Sequence, residues 1–141
     1  MILADVNVLI NAFRSDSTDH VRFKDWLESV VNGPEAYAVA PQVLASFIHV
    51  ATHPRIFVHP SRLGDVFAFA RALQEQPHAV LVTPGESHWA IFETLCRESA
   101  VAGNLVQDAW FAALAIESGC EWITLDRDYA RFKGLRWRTP F

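Results

Sequence analysis

Short apolar runs, each closed by a polar or turn-forming residue and each followed by a longer stretch with helical spacing, recur along the whole chain. That alternation admits few folds. Strands that arrive one at a time, separated by helices, pair in parallel, and a parallel sheet needs helical cover on both faces. Met1 to Ala4 reads as the first strand, followed by polar Asp5 and Asn7 and an apolar stretch from Val8 to Phe13 that suits a short helix. Tyr37 to Ala40, Ala79 to Val82 and Glu121 to Leu125 read as the next three strands, and a short fifth is expected around Leu135 to Trp137.

The helices between them carry their own punctuation. Thr18 or Asp19 is placed to cap a helix with Val21, Leu27, Val30 and Val31 on a core-facing stripe, closed by Asn32-Gly33-Pro34. Pro41 suits the first turn of a helix running to about Thr52, and His53-Pro54 breaks it. Ser61 is expected to cap the next, with Leu63, Val66, Phe67, Ala70 and Leu73 on one face. Two more are expected from about Glu86 to Ala100 and from Leu105 to Ser118, the latter ended by Gly119. The expectation is a single α/β domain over residues 1–141: a central, mostly parallel sheet of four to five strands with helices on both faces. No repeat, low-complexity tract or linker interrupts it.

Composition narrows the function. Half of the chain is apolar and it carries ten Phe and five Trp, which excludes a disordered chain. No apolar run approaches the roughly 20 residues of a membrane span and no signal peptide is legible, so a soluble cytoplasmic protein is expected. Cys96 and Cys120 have no metal-ligand spacing and read as small core residues. A net charge of −4 argues against indiscriminate nucleic-acid binding, yet a metal site built from carboxylates is itself acidic. The basic residues gather late: Arg127, Arg131, Lys133, Arg136 and Arg138 form either a solvated surface or a patch for phosphates.

In parallel sheets, ligands bind beyond the carboxyl ends of the strands. Asp5 and Asp126 each follow an apolar strand, and Asp108 lies in an otherwise apolar helix. Each has an ordinary alternative: Asp5 as a helix cap, Asp126 as turn chemistry, Asp108 as a charge favouring the positive end of its helix. Taken together, three carboxylates in apolar surroundings call for a partner, and an oxygen-only set favours Mg²⁺ or Mn²⁺.

These segments resemble a known family. Ile2-Leu3-Ala4-Asp5-Val6-Asn7-Val8-Leu9 is similar to the opening of PIN domains, where an acid ends the first strand within a D-x-N-x-L pattern. Gly103-Asn104-Leu105-Val106-Gln107-Asp108-Ala109 resembles their acid-bearing helix. Thr124-Leu125-Asp126-Arg127-Asp128-Tyr129 resembles their T-x-D-x-D-F ending, with Tyr129 in place of Phe. Thr52-His53-Pro54-Arg55 and Phe132-Lys133-Gly134-Leu135-Arg136-Trp137 look like a subgroup of the VapC toxins of VapB–VapC toxin–antitoxin pairs.

The resemblance implies a PIN-like fold and a metal-dependent endoribonuclease, in which Asp5, Asp108 and Asp126 are catalytic and hold Mg²⁺ or Mn²⁺. Asn7 and Thr124 would orient them, with Asp128 and Arg127 supporting the site or touching substrate. It also implies an RNA substrate, a VapB-like antitoxin as partner and a homodimer. One departure stands out. The family places a Glu on the helix after the second strand, and the matching residue here is Ser46. Asp128, a water or Glu93 would then make up the charge. Ser46 is also the main support for an alternative, a degenerate PIN module that binds RNA or a protein without cutting.

Other patterns carry less. His49 and His53 have a spacing compatible with zinc, but no Glu follows His49 and Pro54 ends the helix. A phosphatase using Asp5 as nucleophile would need an acid where Asn7 stands. Trp110 is a conceivable stacking platform for a base, although an aromatic on an apolar helix belongs more often to a core.

Overall fold

The computed structural model describes residues 1–141. Five strands, β1 (Ile2–Ala4), β2 (Tyr37–Val39), β3 (Ala79–Leu81), β4 (Glu121–Ile123) and β5 (Trp137–Arg138), form one sheet in the order β3-β2-β1-β4-β5. Every pairing is parallel, with Leu3 in register with Ala38 on one side and Trp122 on the other. Six helices flank the sheet: α1 (Val6–Phe13), α2 (His20–Val31), α3 (Pro41–Ala51), α4 (Leu63–Gln74), α5 (His88–Glu98) and α6 (Asn104–Ser118). None is long and apolar enough to cross a membrane. The expected α/β architecture is present, with five strands and no antiparallel pair.

β1 and β2 are short because a helix starts within two residues of the end of each. Pro41 at the first turn of α3 lacks the N–H that would go unpaired there, so the chain turns directly from Ala40 into the helix. Gly119 adopts a left-handed conformation (φ 70°) that stops α6 and returns the chain to β4. Within α6, Ala109, Ala112, Ala113 and Ala115 are fully buried, and their small side chains let the helix lie close against its neighbours. The core runs through Leu3, Val8, Phe47, Leu114 and Trp122, all essentially without solvent contact.

Some boundaries differ from expectation, each for a visible reason. Ser61 does not cap α4, which begins at Leu63, because its hydroxyl accepts from Arg14. That Arg14, itself buried, pairs with Asp16 at 2.6 Å, donates to the His59 carbonyl and lies over the Phe57 ring. It therefore pins the segment before α4 to the end of α1. α5 starts at His88 rather than Glu86, since the Glu117 carboxylate takes the backbone N–H groups of Gly85 and Ser87. β4 ends at Ile123, and residues Arg127–Arg131 form a 3₁₀ turn that the sequence pattern does not announce.

The order of strands sets the position of any ligand. From β1 the chain builds outward to β2 and β3, then returns to place β4 on the other flank of β1. The crevice at the carboxyl ends of β1 and β4 is the switch point of the sheet, where α/β folds bind ligands.

Candidate active site

Asp5 leaves β1 still attached to the sheet, its N–H donating to the Ile123 carbonyl at 2.8 Å. Its carboxylate is held at both oxygens. Oδ1 accepts from the Val6 N–H (2.6 Å), which caps α1, while Oδ2 accepts from Asn7 Nδ2 (3.0 Å) and from the Thr124 hydroxyl (2.6 Å). Capping and site-building are thus performed by one side chain.

Thr124 is fully buried and its hydroxyl is saturated: it donates to Asp5 and accepts from Asn7 Nδ2 (3.1 Å) and the Asp126 N–H (3.0 Å). Asn7 closes the frame by accepting the Leu125 N–H on Oδ1 (3.2 Å). Asp126, oriented by this turn, accepts the Asp128 N–H on Oδ1 at 2.8 Å. Its role at the start of the 3₁₀ turn is ordinary turn chemistry, and it also directs the residue to the crevice.

Asp108 arrives from a separate element. α6 begins at Asn104, so Asp108 lies beyond the first turn and does not serve the helix end. Instead its Oδ1 accepts from the buried Tyr129 hydroxyl at 3.3 Å. Tyr129 is the contributor that the spacing leaves unassigned, and the only hint in the sequence is a hydroxyl where an apolar Phe is expected.

Asp5, Asp108 and Asp126 line one groove of about 480 Å³, together with Asn7, Asn11, Ser46, His49, Asn104, Gln107 and Tyr129. Burial pushes the Asp5 carboxyl up to about 6, and the negative charges of Asp108 and Asp126 add to that against the hydrogen bonds from Thr124 and Val6. Asp108 is raised for the same reasons, burial first and then Asp126. The Tyr129 hydroxyl is held neutral by burial and by the carboxylates around it.

A hard cation bound here would offset this repulsion. The donors are all oxygens, which suits Mg²⁺ or Mn²⁺. No three His, Cys, Asp or Glu side chains form a ready-made cage. Mg²⁺ does not require one, since it commonly rests on one or two carboxylates and keeps its remaining waters.

Other expected contributors lie apart. Asp128 and Arg127 are exposed and do not line the groove, though the charge of Asp128 reaches Asp108. Asp128 pairs with Arg131 at 3.6 Å. Glu93 pairs with Arg97 on exposed α5 and supplies no charge to the groove. Ser46 does line it, and its hydroxyl accepts from Gln107.

The late basic residues do not form one patch. Arg136 donates to the Gly119 carbonyl and Arg138 pairs with Glu121, and both border a depression formed with Met1 and Ile2 at the amino ends of the strands. Trp110 is half-buried against His88 and Phe92, donates to Gln42 and does not line the groove.

Comparisons with known proteins identify the family and the fold. Residues 2–135 match the family model described as the PIN domain. A VapC ribonuclease of Mycobacterium bovis is 39% identical over 140 residues, covering 99% of this chain and 95% of the relative. Ribonuclease VapC25 of Mycobacterium tuberculosis is also 39% identical, with 99% of both chains covered.

Among solved structures, VapBC2 from Rickettsia felis bound to a promoter DNA fragment contains a chain with a TM-score of 0.72 at 15% identity, covering 99% of this chain and 98% of that one. Mycobacterium tuberculosis VapC20, described as a toxin that cleaves the sarcin-ricin loop, gives 0.65 at 16% identity, covering 96% of this chain and 99% of its own. The acid-ended first strand, the acid on α6 and the turn after β4 therefore sit in a frame shared with these proteins, and the chain belongs to the PIN-domain family, within its VapC group.

Proposed function

We propose that this chain is a metal-dependent endoribonuclease, the toxin of a type II toxin–antitoxin pair, which hydrolyses RNA phosphodiesters in the groove lined by Asp5, Asp108 and Asp126. The observation that carries the reading is the meeting of three carboxylates from three separate elements at the switch point of the sheet, with burial and mutual repulsion raising Asp5 to about 6. The names of the relatives, all ribonucleases of the VapC group, support the choice of RNA.

Asp5 and Asp108 would hold Mg²⁺ or Mn²⁺, with Asp126 as a direct ligand or through a water. A bound divalent ion makes a coordinated water more acidic and offsets the charge of the phosphate. The remaining work falls to the protein. Thr124, Asn7 and the Val6 N–H fix both oxygens of Asp5, and Tyr129 steadies Asp108, so little reorganisation is needed as charge develops. Water attacks phosphorus in line with the departing O3′; the P–O3′ bond breaks, the water loses a proton and O3′ gains one. The products are a 5′-phosphate and a 3′-hydroxyl. Arg127, exposed beside Asp126 and without an ion-pair partner, is placed to meet a flanking phosphate.

A VapB-like antitoxin that covers the groove and a homodimer are part of the same reading. Structural neighbours include toxin–antitoxin complexes, and exposed Leu63, Phe67 and Trp89 offer apolar surface for protein contacts.

The test is cleavage of total RNA by antitoxin-free protein in Mg²⁺ or Mn²⁺. Discrete fragments are expected, lost with chelator and in Asp108→Asn. Ser46, a hydroxyl in place of an acid, favours the second reading of a module that binds without cutting. Folded protein that binds RNA and leaves it intact in both metals would establish that second reading.

A further inference from the structure

Two side-chain hydrogen bonds tie α3 to α6. Trp110 Nε1 donates to Gln42 Oε1, and Gln107 Nε2 donates to Ser46 Oγ at 3.3 Å. As the numbers rise along α3 they fall along α6, so the helices cross in opposite directions and their contacts form a ladder with about one turn between rungs. The next turn along each helix carries His49 on α3 and Asn104 on α6. Both line the groove, and neither side chain has a hydrogen-bond partner. The other amide and hydroxyl side chains lining it, Asn7, Asn11, Ser46, Gln107 and Tyr129, are already engaged.

The open rung is matched to a particular chemistry. His49 is the only basic side chain lining a groove that otherwise holds carboxylates and neutral polar groups. Its ring is backed edge-on by His53 at 5.3 Å, and His53 is itself fixed by accepting the Arg55 N–H on Nδ1. A ring steadied in this way, with free nitrogens, suits a phosphate oxygen. The Asn104 amide both donates and accepts, which suits a ribose hydroxyl that does the same.

We propose that His49 and Asn104 grip the sugar–phosphate backbone of single-stranded RNA, His49 on a phosphate oxygen and Asn104 on the neighbouring 2′-hydroxyl. The strand is thereby laid along the groove toward the three carboxylates. This assignment rests on the groove being the ribonuclease site.

Binding can be read without turnover. In the Asp108→Asn protein with Mg²⁺, the affinity for a fluorescein-labelled single-stranded RNA and for a DNA of the same sequence is measured by anisotropy. Adding His49→Ala should weaken both by about tenfold, as for loss of a hydrogen bond to a charged group. His49→Arg should restore them. Adding Asn104→Ala should weaken RNA alone, removing its advantage over DNA. Arg136→Ala, at the opposite end of the strands, should change neither, and thermal unfolding midpoints should hold in all variants. In otherwise wild-type protein, His49→Ala should raise KM while kcat stays close to its starting value.

RNA affinity and KM within about twofold of the parent in both variants would overturn the proposal. If that occurred with cleavage intact, the nuclease reading would survive and the open rung would not. Binding that depends on the rung in a wild-type protein that never cleaves would support the rung and overturn the nuclease.

Discussion

The Thr124 hydroxyl donates to Asp5 Oδ2 at 2.6 Å, joining the ends of two neighbouring parallel strands by a single buried contact. Because that hydroxyl also accepts from Asn7 and from the Asp126 N–H, it is the one atom touching both strand-end acids. Thr124→Val keeps the shape and removes all three bonds. Stability should fall by about 1–3 kcal/mol, the cost of leaving buried partners unmatched. Cleavage should fall by about 10–100-fold, as for loss of an outer-shell orienting group. Thr124→Ser should restore most of both. Since the Thr124 bond lowers the proton affinity of Asp5, the acid limb of the pH–rate profile should also move to higher pH in the Val variant. An unchanged profile with lower stability would assign Thr124 a purely structural role.

Asp108→Asn separates catalysis from folding. The carboxylate is raised by burial first and by Asp126 next, so its negative charge costs more in the folded protein than in the unfolded chain. Asparagine removes that repulsion and still offers an oxygen to the Tyr129 hydroxyl. Cleavage should be abolished, while the metal-free unfolding temperature at neutral pH holds or rises. A clear drop in that temperature would mean that the negative charge stabilises the fold, contrary to the electrostatics of the groove.

Much of this candidate site is legible in the sequence. Asp5 and Asp126 are exposed to sequence reading because an acid directly after an apolar run marks a strand end, and Asp108 because a charge stands out among the alanines of α6. The Tyr129–Asp108 contact depends on how the turn after β4 meets α6, and the Ser46–Gln107 contact on how α3 crosses α6; local periodicity encodes neither. Of the two readings open for the basic tail, a solvated surface fits Arg136 and Arg138 better than a phosphate patch, for a topological reason. β5 is parallel to β4, so the chain must travel back to the amino edge before it starts, and it carries Arg136 away from the groove. Ser61 misled because a buried cation, Arg14, competes for the hydroxyl that would have capped α4.

Asp5 makes the metal-free protein pH-sensitive in a predictable direction. Its carboxyl is raised from the ordinary value of 3.8 to about 6, so between those values the folded chain holds more protons than the unfolded one. Stability should therefore fall as pH rises through that window, by about 3 kcal/mol in total from this group. Unfolding temperatures measured in chelator across that range should fall toward neutrality, and the fall should be shallower in Asp5→Asn. Adding Mn²⁺ should reverse the loss at neutral pH and do little at the acid end, where the proton already neutralises the carboxylate. Equal pH dependence in wild type and Asp5→Asn would show that Asp5 keeps an ordinary proton affinity.

Ser46→Glu tests whether the groove tolerates the acid that the family pattern places there. Ser46 sits on α3 facing Gln107 and lines the groove with Asp5, Asp108 and Asp126. A longer side chain ending in a carboxylate would bring a fourth negative charge into a space where burial and neighbouring carboxylates already raise Asp5 and Asp108. Without metal, the unfolding temperature at neutral pH should drop further than in Ser46→Gln, which adds the same bulk without the charge. With Mn²⁺ the order should invert, and affinity by titration calorimetry should rise by about tenfold in the Glu variant, because ligand charge sets divalent affinity. Gln107, freed from the serine hydroxyl, can donate to the new carboxylate and hold it toward the ion. Equal Mn²⁺ affinity in the Glu and Gln variants would place the ion out of reach of α3, on the side of Asp5 and Asp126.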